Sequence, residues 1–250
     1  MVREVLYDEF TYPKRVLVCV KALASDQLSG SFDFSCIAEA SYVCIYDSSG
    51  NVTSVEASDN PAWVAVDILT RPVFNDDLTV ARYDEYQPSR LDMAKFIEWA
   101  AFCDELVPSE DSANSGDTWK ALSTAEREAD AGEKRVTFNG GFDTMSNIWE
   151  SAMAVCQVGR AIPYFYGTKL TLMIDKEGTP QQLFTVGNIG KDSFKESFLP
   201  FADRASELEI TFTNSDNDYQ REIYGYFSPN IDTEAPSTSL DLKGLTTSGE

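Results

Sequence analysis

The sequence contains no histidine. That single absence removes the imidazole general acid or base, the serine–histidine and cysteine–histidine nucleophile pairs, and the HExxH zinc site. Cysteine is sparse too: Cys19, Cys36, Cys44, Cys103 and Cys156 are scattered and odd in number. None stands in a C-x-x-C pair, which argues against a structural zinc site. Their apolar surroundings point to buried free thiols in a chain made in a reducing cytoplasm. Neither a GxxxxGK[ST] phosphate loop nor a GxGxxG strand–helix turn occurs. No apolar run approaches the ~20 residues that span a bilayer. Met1-Val2-Arg3-Glu4 leads into an acidic, aromatic segment without the apolar core of a signal peptide. The expectation is a soluble protein that is not exported by the usual route and does not insert in membrane.

Cations are also in short supply, with 20 Lys and Arg against 41 Asp and Glu and a net charge of -21. Gripping a nucleic-acid backbone requires Lys and Arg to displace counterions, so this balance argues against such binding. It fits a solubilising surface, or a wall that repels nucleic acid. What the chain does have is enough apolar matter to fold. At 250 residues, 43% hydrophobic and 12% aromatic, it can bury a sizeable core as one large domain or two modest ones. Its many carboxylates leave a two-carboxylate glycan hydrolase formally open, although chance alone supplies candidate pairs at this abundance. No residue is nominated as catalytic, cofactor-binding or metal-ligating, and no cofactor is expected.

The organising stretch is Asn60-Pro61-Ala62-Trp63-Val64-Ala65-Val66-Asp67-Ile68-Leu69-Thr70-Arg71-Pro72. Asn60 is a good N-cap, and Pro61 fits the next position, where no amide hydrogen is needed. Trp63, Val66 and Leu69/Thr70 recur at helical spacing, and Pro72 disfavours helix at Arg71. Before this hinge the chain reads as β structure: strands over 14–23, 31–38 and 40–47, a turn at Asp47-Ser48-Ser49-Gly50-Asn51, and a short strand over 52–56. After it, Asn75-Asp76-Asp77 and Tyr83-Asp84-Glu85-Tyr86 read as loops. Ser89-x-x-Asp92 resembles a capping box opening a helix from about Arg90 to Glu105, apolar around most of its circumference. Residues 109–117 read as a mobile polar stretch and 119–131 as a short polar helix.

Arg135 to Asn139 is expected as a strand, followed by a helix from Met145 to about Val158 with Thr144 as N-cap and Gly159 as stop. Gly167-Thr168 between 161–166 and 169–174 marks a two-residue hairpin. Further strands are expected over 182–186, 193–198, 207–213 and 221–227. Asn214, Asp216 and Asp218 alternate as in part of a calcium loop, but Tyr219 stands where glycine belongs and Gly225 where glutamate belongs, so a turn is expected. Residues 228–250, rich in Pro, Ser, Thr and Gly, read as a connector or frayed tail.

Three stretches carry a resemblance. They are Asn60-Pro61-Ala62-Trp63 with Asp67-Ile68-Leu69-Thr70-Arg71-Pro72; the helix Phe96 to Leu106 ending in Phe102-Cys103-Asp104-Glu105-Leu106-Val107-Pro108; and Arg135-Val136-Thr137-Phe138-Asn139-Gly140, then Ile148-Trp149-Glu150 and the hairpin Gly167 to Leu172. In order and spacing, over roughly residues 10–215, they resemble the tail-tip host-specificity proteins (protein J type) of long-tailed bacteriophages. The resemblance implies an α+β fold, with small β-barrel-like hub domains, packed helices and mainly antiparallel strands. It implies the central part of a longer protein, with 1–58 the β-rich part of a first hub-like domain and 59–107 a helical segment. Residues 108–134 would be an acidic mobile insertion where the family has a brief link, 135–227 a second hub-like domain, and 228–250 the tail. It further implies a virion or prophage tail-tip location, a homotrimer, other tail proteins as partners, and DNA passing through the lumen without specific binding. The alternative is a tail-associated cell-wall glycan hydrolase using a carboxylate pair.

Overall fold

A computed structural model describes residues 42–246 apart from 76, 110, 143–145, 181, 186, 191–192, 199, 201–204, 206, 216, 218 and 228–236. The strands expected over 14–23 and 31–38 lie outside these residues, as does Thr144. In chain order the elements are β1 (Tyr42–Tyr46), β2 (Val52–Ala57), α1 (Pro61–Thr70), β3 (Pro72–Phe74), β4 (Val80–Tyr83), a 3-10 turn (Pro88–Arg90) and α2 (Met93–Cys103). Then come β5 (Leu106–Pro108), α3 (Gly116–Lys120), α4 (Thr124–Ala129), β6 (Gly132–Lys134), α5 (Ile148–Val158), β7 (Ala161–Tyr166), β8 (Lys169–Ile174), β9 (Glu207–Asn214), β10 (Gln220–Phe227) and β11 (Ser237–Asp241).

The class is α+β. Four antiparallel pairs and one three-stranded sheet, ordered β10-β9-β11, accompany the helices, with β11 parallel to β9. The barrel-like closure expected of the sheets is not found among the described residues, where each ladder ends after two or three strands.

The organising stretch sits at the centre. Asn60 is extended (φ -75°, ψ 120°), and its Oδ1 accepts from the Ala62 amide at 2.9 Å, closing the first turn of α1. Arg71 leaves the helix in the left-handed region (φ 44°), where Pro72 permits no further helix and starts β3 instead. Between these ends Trp63, Val66, Leu69 and Thr70 are buried. α1 packs against α2, α5 and β1. One apolar core runs from Val43 through Trp63, Phe96, Trp99 and Val155 to Leu172.

α2 begins later than its capping pattern suggests. Pro88 starts a single 3-10 turn, Leu91 is extended (ψ 146°) to form a β-bridge with Leu170, and the Asp92 amide donates to the Leu170 carbonyl at 2.8 Å. The Asp92 carboxylate makes no cap; it accepts instead from the Thr171 hydroxyl at 3.0 Å. Pairing with the β8 hairpin therefore outcompetes the local box. From α2, Phe96 and Trp99 are fully enclosed, contributing on the order of several kcal/mol from apolar area.

Trp99 also explains Gly159. The indole Nε1 donates to the Gly159 carbonyl at 2.8 Å, and a Cβ on Gly159 would lie 2.5 Å from Trp99 Cζ2. The helix stops there as expected, yet Gly159 has φ -85° and Arg160 takes the left-handed turn (φ 55°). Close approach, not backbone freedom, is what requires glycine. At its other end α5 starts at Ile148, three residues after the expected Met145. Asn147 supplies the cap, accepting from Trp149 N at 3.0 Å, with Glu150 reaching back to the Asn147 amide.

The strand expected over 135–139 is a clasp instead. Its amides reach four different places: Arg135 to Glu105 O, Val136 to Cys103 O, Phe138 to Asp59 O and Asn139 to Gly244 O. The ladder strand β6 lies just upstream and pairs with β5, so the two ends of 108–134 leave the core side by side. Between them the single polar helix expected over 119–131 is broken into α3 and α4, with Trp119 buried and the Arg127 guanidinium 5.9 Å from its ring centre. β3 and β4, absent from the sequence reading, pair on either side of Asn75 and Asp77.

The hairpin at Gly167 is present, with Gly167 at φ 63°, the first central position at which a II′ turn requires it. So is the pairing of β9 with β10. The strands expected over 182–186 and 193–198 do not form among their described residues. β propensity supplies no partner edge, and Asn188 folds back to take the Thr185 amide and donate to the Leu183 carbonyl. The tail expected over 228–250 is tied down over 237–246. β11 pairs with β9, and the Thr246 hydroxyl is buried against Thr137 at 2.7 Å and accepts from Asn139 Nδ2 at 2.9 Å.

Asn60→Ala removes the α1 cap and one of the two hydrogen bonds that the Ala100 carbonyl accepts, the Asp104 amide keeping the other, so we expect a loss on the order of 1–3 kcal/mol in denaturant unfolding. Gly159→Ala drives a methyl into Trp99, and a loss of about 1–3 kcal/mol is expected by the same measurement.

Candidate functional site

The tryptophans are structural in placement. Trp99 and Trp119 are buried, Trp63 is 8% exposed, and Trp149 is half-buried with its ring stacked on Phe165 at 5.9 Å and 15°. The described thiols are sequestered likewise. Burial pushes Cys44 up to about 11 and Cys103 and Cys156 up to about 12, so each is a protonated, inert thiol at neutral pH.

The acidic clusters singled out in the sequence are used locally. Asp77 Oδ1 accepts from the Thr79 hydroxyl at 2.6 Å, and Asp84 accepts from Arg82 Nε at 2.7 Å. Around the Asn214 turn, the Asn214 and Asn217 side-chain amides both donate to Glu222, whose carboxyl is held below its usual range by those bonds. Among the described residues no group of three or more Cys, Asp or Glu side chains is arranged to hold a metal ion. No helix among them is long and apolar enough to cross a membrane.

Two open clefts stand out among the described residues. The larger, about 750 Å³, lies between β2 and β4 and is lined by residues 50–55 and 78–83 with Gln87. The smaller, about 490 Å³, lies where the C-terminal turn of α1, β3 and the start of α5 meet. It brings together Asp67, Asp84, Arg71, Tyr42, Phe142 and Ser151. This grouping is not legible in the sequence, because Asp67 lies within an apolar helix and Asp84 in a turn that follows the β3–β4 pair.

Asp67 is the group of chemical interest. Burial pushes its carboxyl up from 3.8 to about 6, against a smaller opposing pull from Arg71. A folded-state pKa above the unfolded one means the proton is held more tightly in the folded chain. Asp67 therefore contributes stability that is present below about pH 4 and lost as pH rises through 6. Asp67→Asn should raise the thermal midpoint at pH 7.5, by the equivalent of about 1–3 kcal/mol, and leave it nearly unchanged at pH 4. Calorimetry of the two proteins across that range reads the difference directly.

No family model matches the chain. Over 178 residues, which are 71% of this chain and 13% of the other protein, it is 24% identical to the Tip attachment protein J of Escherichia phage SECphi27. The chain thus spans about one-eighth of the length of that relative.

Proposed function

We propose that this chain is a structural segment of a phage or prophage tail tip. It would form part of the hub that closes the tail tube and links it to receptor-binding elements during host attachment and DNA ejection. The likeness to a tip attachment protein over 71% of the chain carries this reading. The packing supports it. The three sequence stretches that resemble tail-tip proteins are bonded to one another, through Asn60 to Ala100 and Val136 to Cys103. Such side chains build a rigid scaffold.

In this reading residues 1–58 are the β-rich part of a first hub-like domain, 59–107 a helical segment, 108–134 a peripheral insertion, 135–227 a second hub-like domain and 228–250 a connector. Three copies surround the tail axis among other tail proteins, in a protein synthesised in the bacterial cytoplasm. The net charge of -21 gives the lumen a physical role, since a negative wall repels the DNA backbone and lets the genome slide.

A catalytic reading has one observation in its favour: Asp67, protonated towards neutral pH, shares a cleft with the ion-paired Asp84 and the exposed Tyr42 and Phe142. That is the kind of carboxyl pair a glycan hydrolase uses. Sugar release from purified peptidoglycan that Asp67→Asn abolishes would establish it; no release removes it.

The test of the structural reading is cryo-electron microscopy of tails from the phage encoding this chain. The expected result is three copies at the tip with carboxylates facing the channel. Density elsewhere in the particle would sink the assignment, and a neutral or basic channel wall would remove the charge argument alone.

A further inference from the structure

The larger cleft has a property that its lining reveals. It is bordered by consecutive residues, 50–55 on one side and 78–83 on the other. Side chains of a strand alternate between faces, so a cavity resting on a sheet face touches every second residue. A cavity that meets every residue in turn runs along the strand's edge. Both strands have such an edge: among the described residues β2 pairs only with β1, and β4 only with β3.

The edge of β4 can be oriented. The Asp84 amide donates to the Arg71 carbonyl, and Val73 pairs with Arg82. Alternation along an antiparallel ladder then turns the Arg82 amide inward to β3 and the Tyr83 amide outward to the cleft. Both strands carry an irregularity at this level. Thr53 falls between the Tyr46–Val52 and Ile45–Ser54 pairs, and Ala81 between the Phe74–Val80 and Val73–Arg82 pairs. Bulges of this kind end local pairing and re-aim the edge.

The charge of the slot differs from that of the chain. In a protein with 41 acidic residues, the lining holds no aspartate or glutamate, and Arg82 is its one charged side chain. An acidic strand entering here meets the outward Tyr83 amide and Arg82, whose Nε bonds Asp84 outside the lining at 2.7 Å while its side chain stays 69% exposed.

We propose that the slot between β2 and β4 is a strand-acceptor site. It takes an extended segment of a second protein by main-chain pairing, with an acidic side chain of that segment set against Arg82. Edge pairing supplies the affinity, and Arg82 the sign preference. This inference stands on the two edges and does not depend on the tail-tip reading.

The test uses the full chain, labelled for NMR, with the synthetic peptide acetyl-Thr-Val-Glu-Val-Thr-Val-amide. Controls are the same peptide with Lys in place of Glu, and the Glu peptide N-methylated at alternate residues. Expected is slowed amide exchange confined to 51–55 and 79–83 with the Glu peptide, and none with the N-methylated one. Tyr83→Pro, which removes the outward amide, should weaken binding about tenfold or more. Arg82→Glu should reverse the preference to the Lys peptide, and serves alone if Tyr83→Pro does not fold. Three results would each overturn the proposal: no protection at millimolar peptide, equal binding of the N-methylated peptide, or amides already protected in the free chain. The last would mean that the chain's own sequence fills the slot.

Discussion

The carboxamide of Asn60 holds the structure together at its most crowded point. Its oxygen closes the first turn of α1 on the Ala62 amide, and its nitrogen reaches the Ala100 carbonyl of α2, with the side chain almost wholly buried. One planar group thus satisfies an orphan donor of one helix and fixes where a second helix crosses it. Buried amides are expensive unless fully bonded, so the two contacts lock together. Around them the fit tightens: Trp99, one residue before Ala100, presses on Gly159 at the end of α5 and bonds its carbonyl. The 135–139 clasp then ties Asp59, Cys103, Glu105 and Gly244 to a single extended run.

How much of this the sequence reveals depends on whether the deciding contact is local. The α1 cap and its proline stop, the Asp47–Asn51 turn, the Gly167 hairpin and the β9–β10 pair are all set within a few residues, and all are present. Where a distant partner decides, local rules mislead. The Ser89–Asp92 pattern yields to the bridge between Leu91 and Leu170, and residues 182–185 and 193–198 have strand-like composition but no edge to join. Gly159 ends α5 as its sequence position suggests, yet glycine is required there by the indole packed against it, which no local pattern encodes. The polar tail looks unattached until Thr246 is seen between Thr137 and Asn139.

The candidate sites were less legible than the fold. Asp67 reads as a stray charge on an apolar helix, and its shifted proton affinity arises from elements distant in sequence. The β2–β4 slot arises from what two hairpins leave unpaired, which no motif encodes. Both clefts nonetheless border α1 or the hairpins that flank it, so the rigid centre that Asn60 organises also sets the shape of the surface. Such an arrangement suits a scaffold, whose openings are defined by elements that do not shift.

Residues 108–134 enter and leave the body of the protein at one point, Pro108 standing opposite Gly132. Trp119 is packed within that excursion under Arg127, and Asp130 takes amides from Ala113 and Asn114. The excursion is thereby closed on itself, and a doorway this narrow decouples what lies beyond it from what lies behind. Lineages could exchange the outer loop as a cassette without renegotiating the interior, and an experimenter could splice an epitope there to count copies in an intact particle.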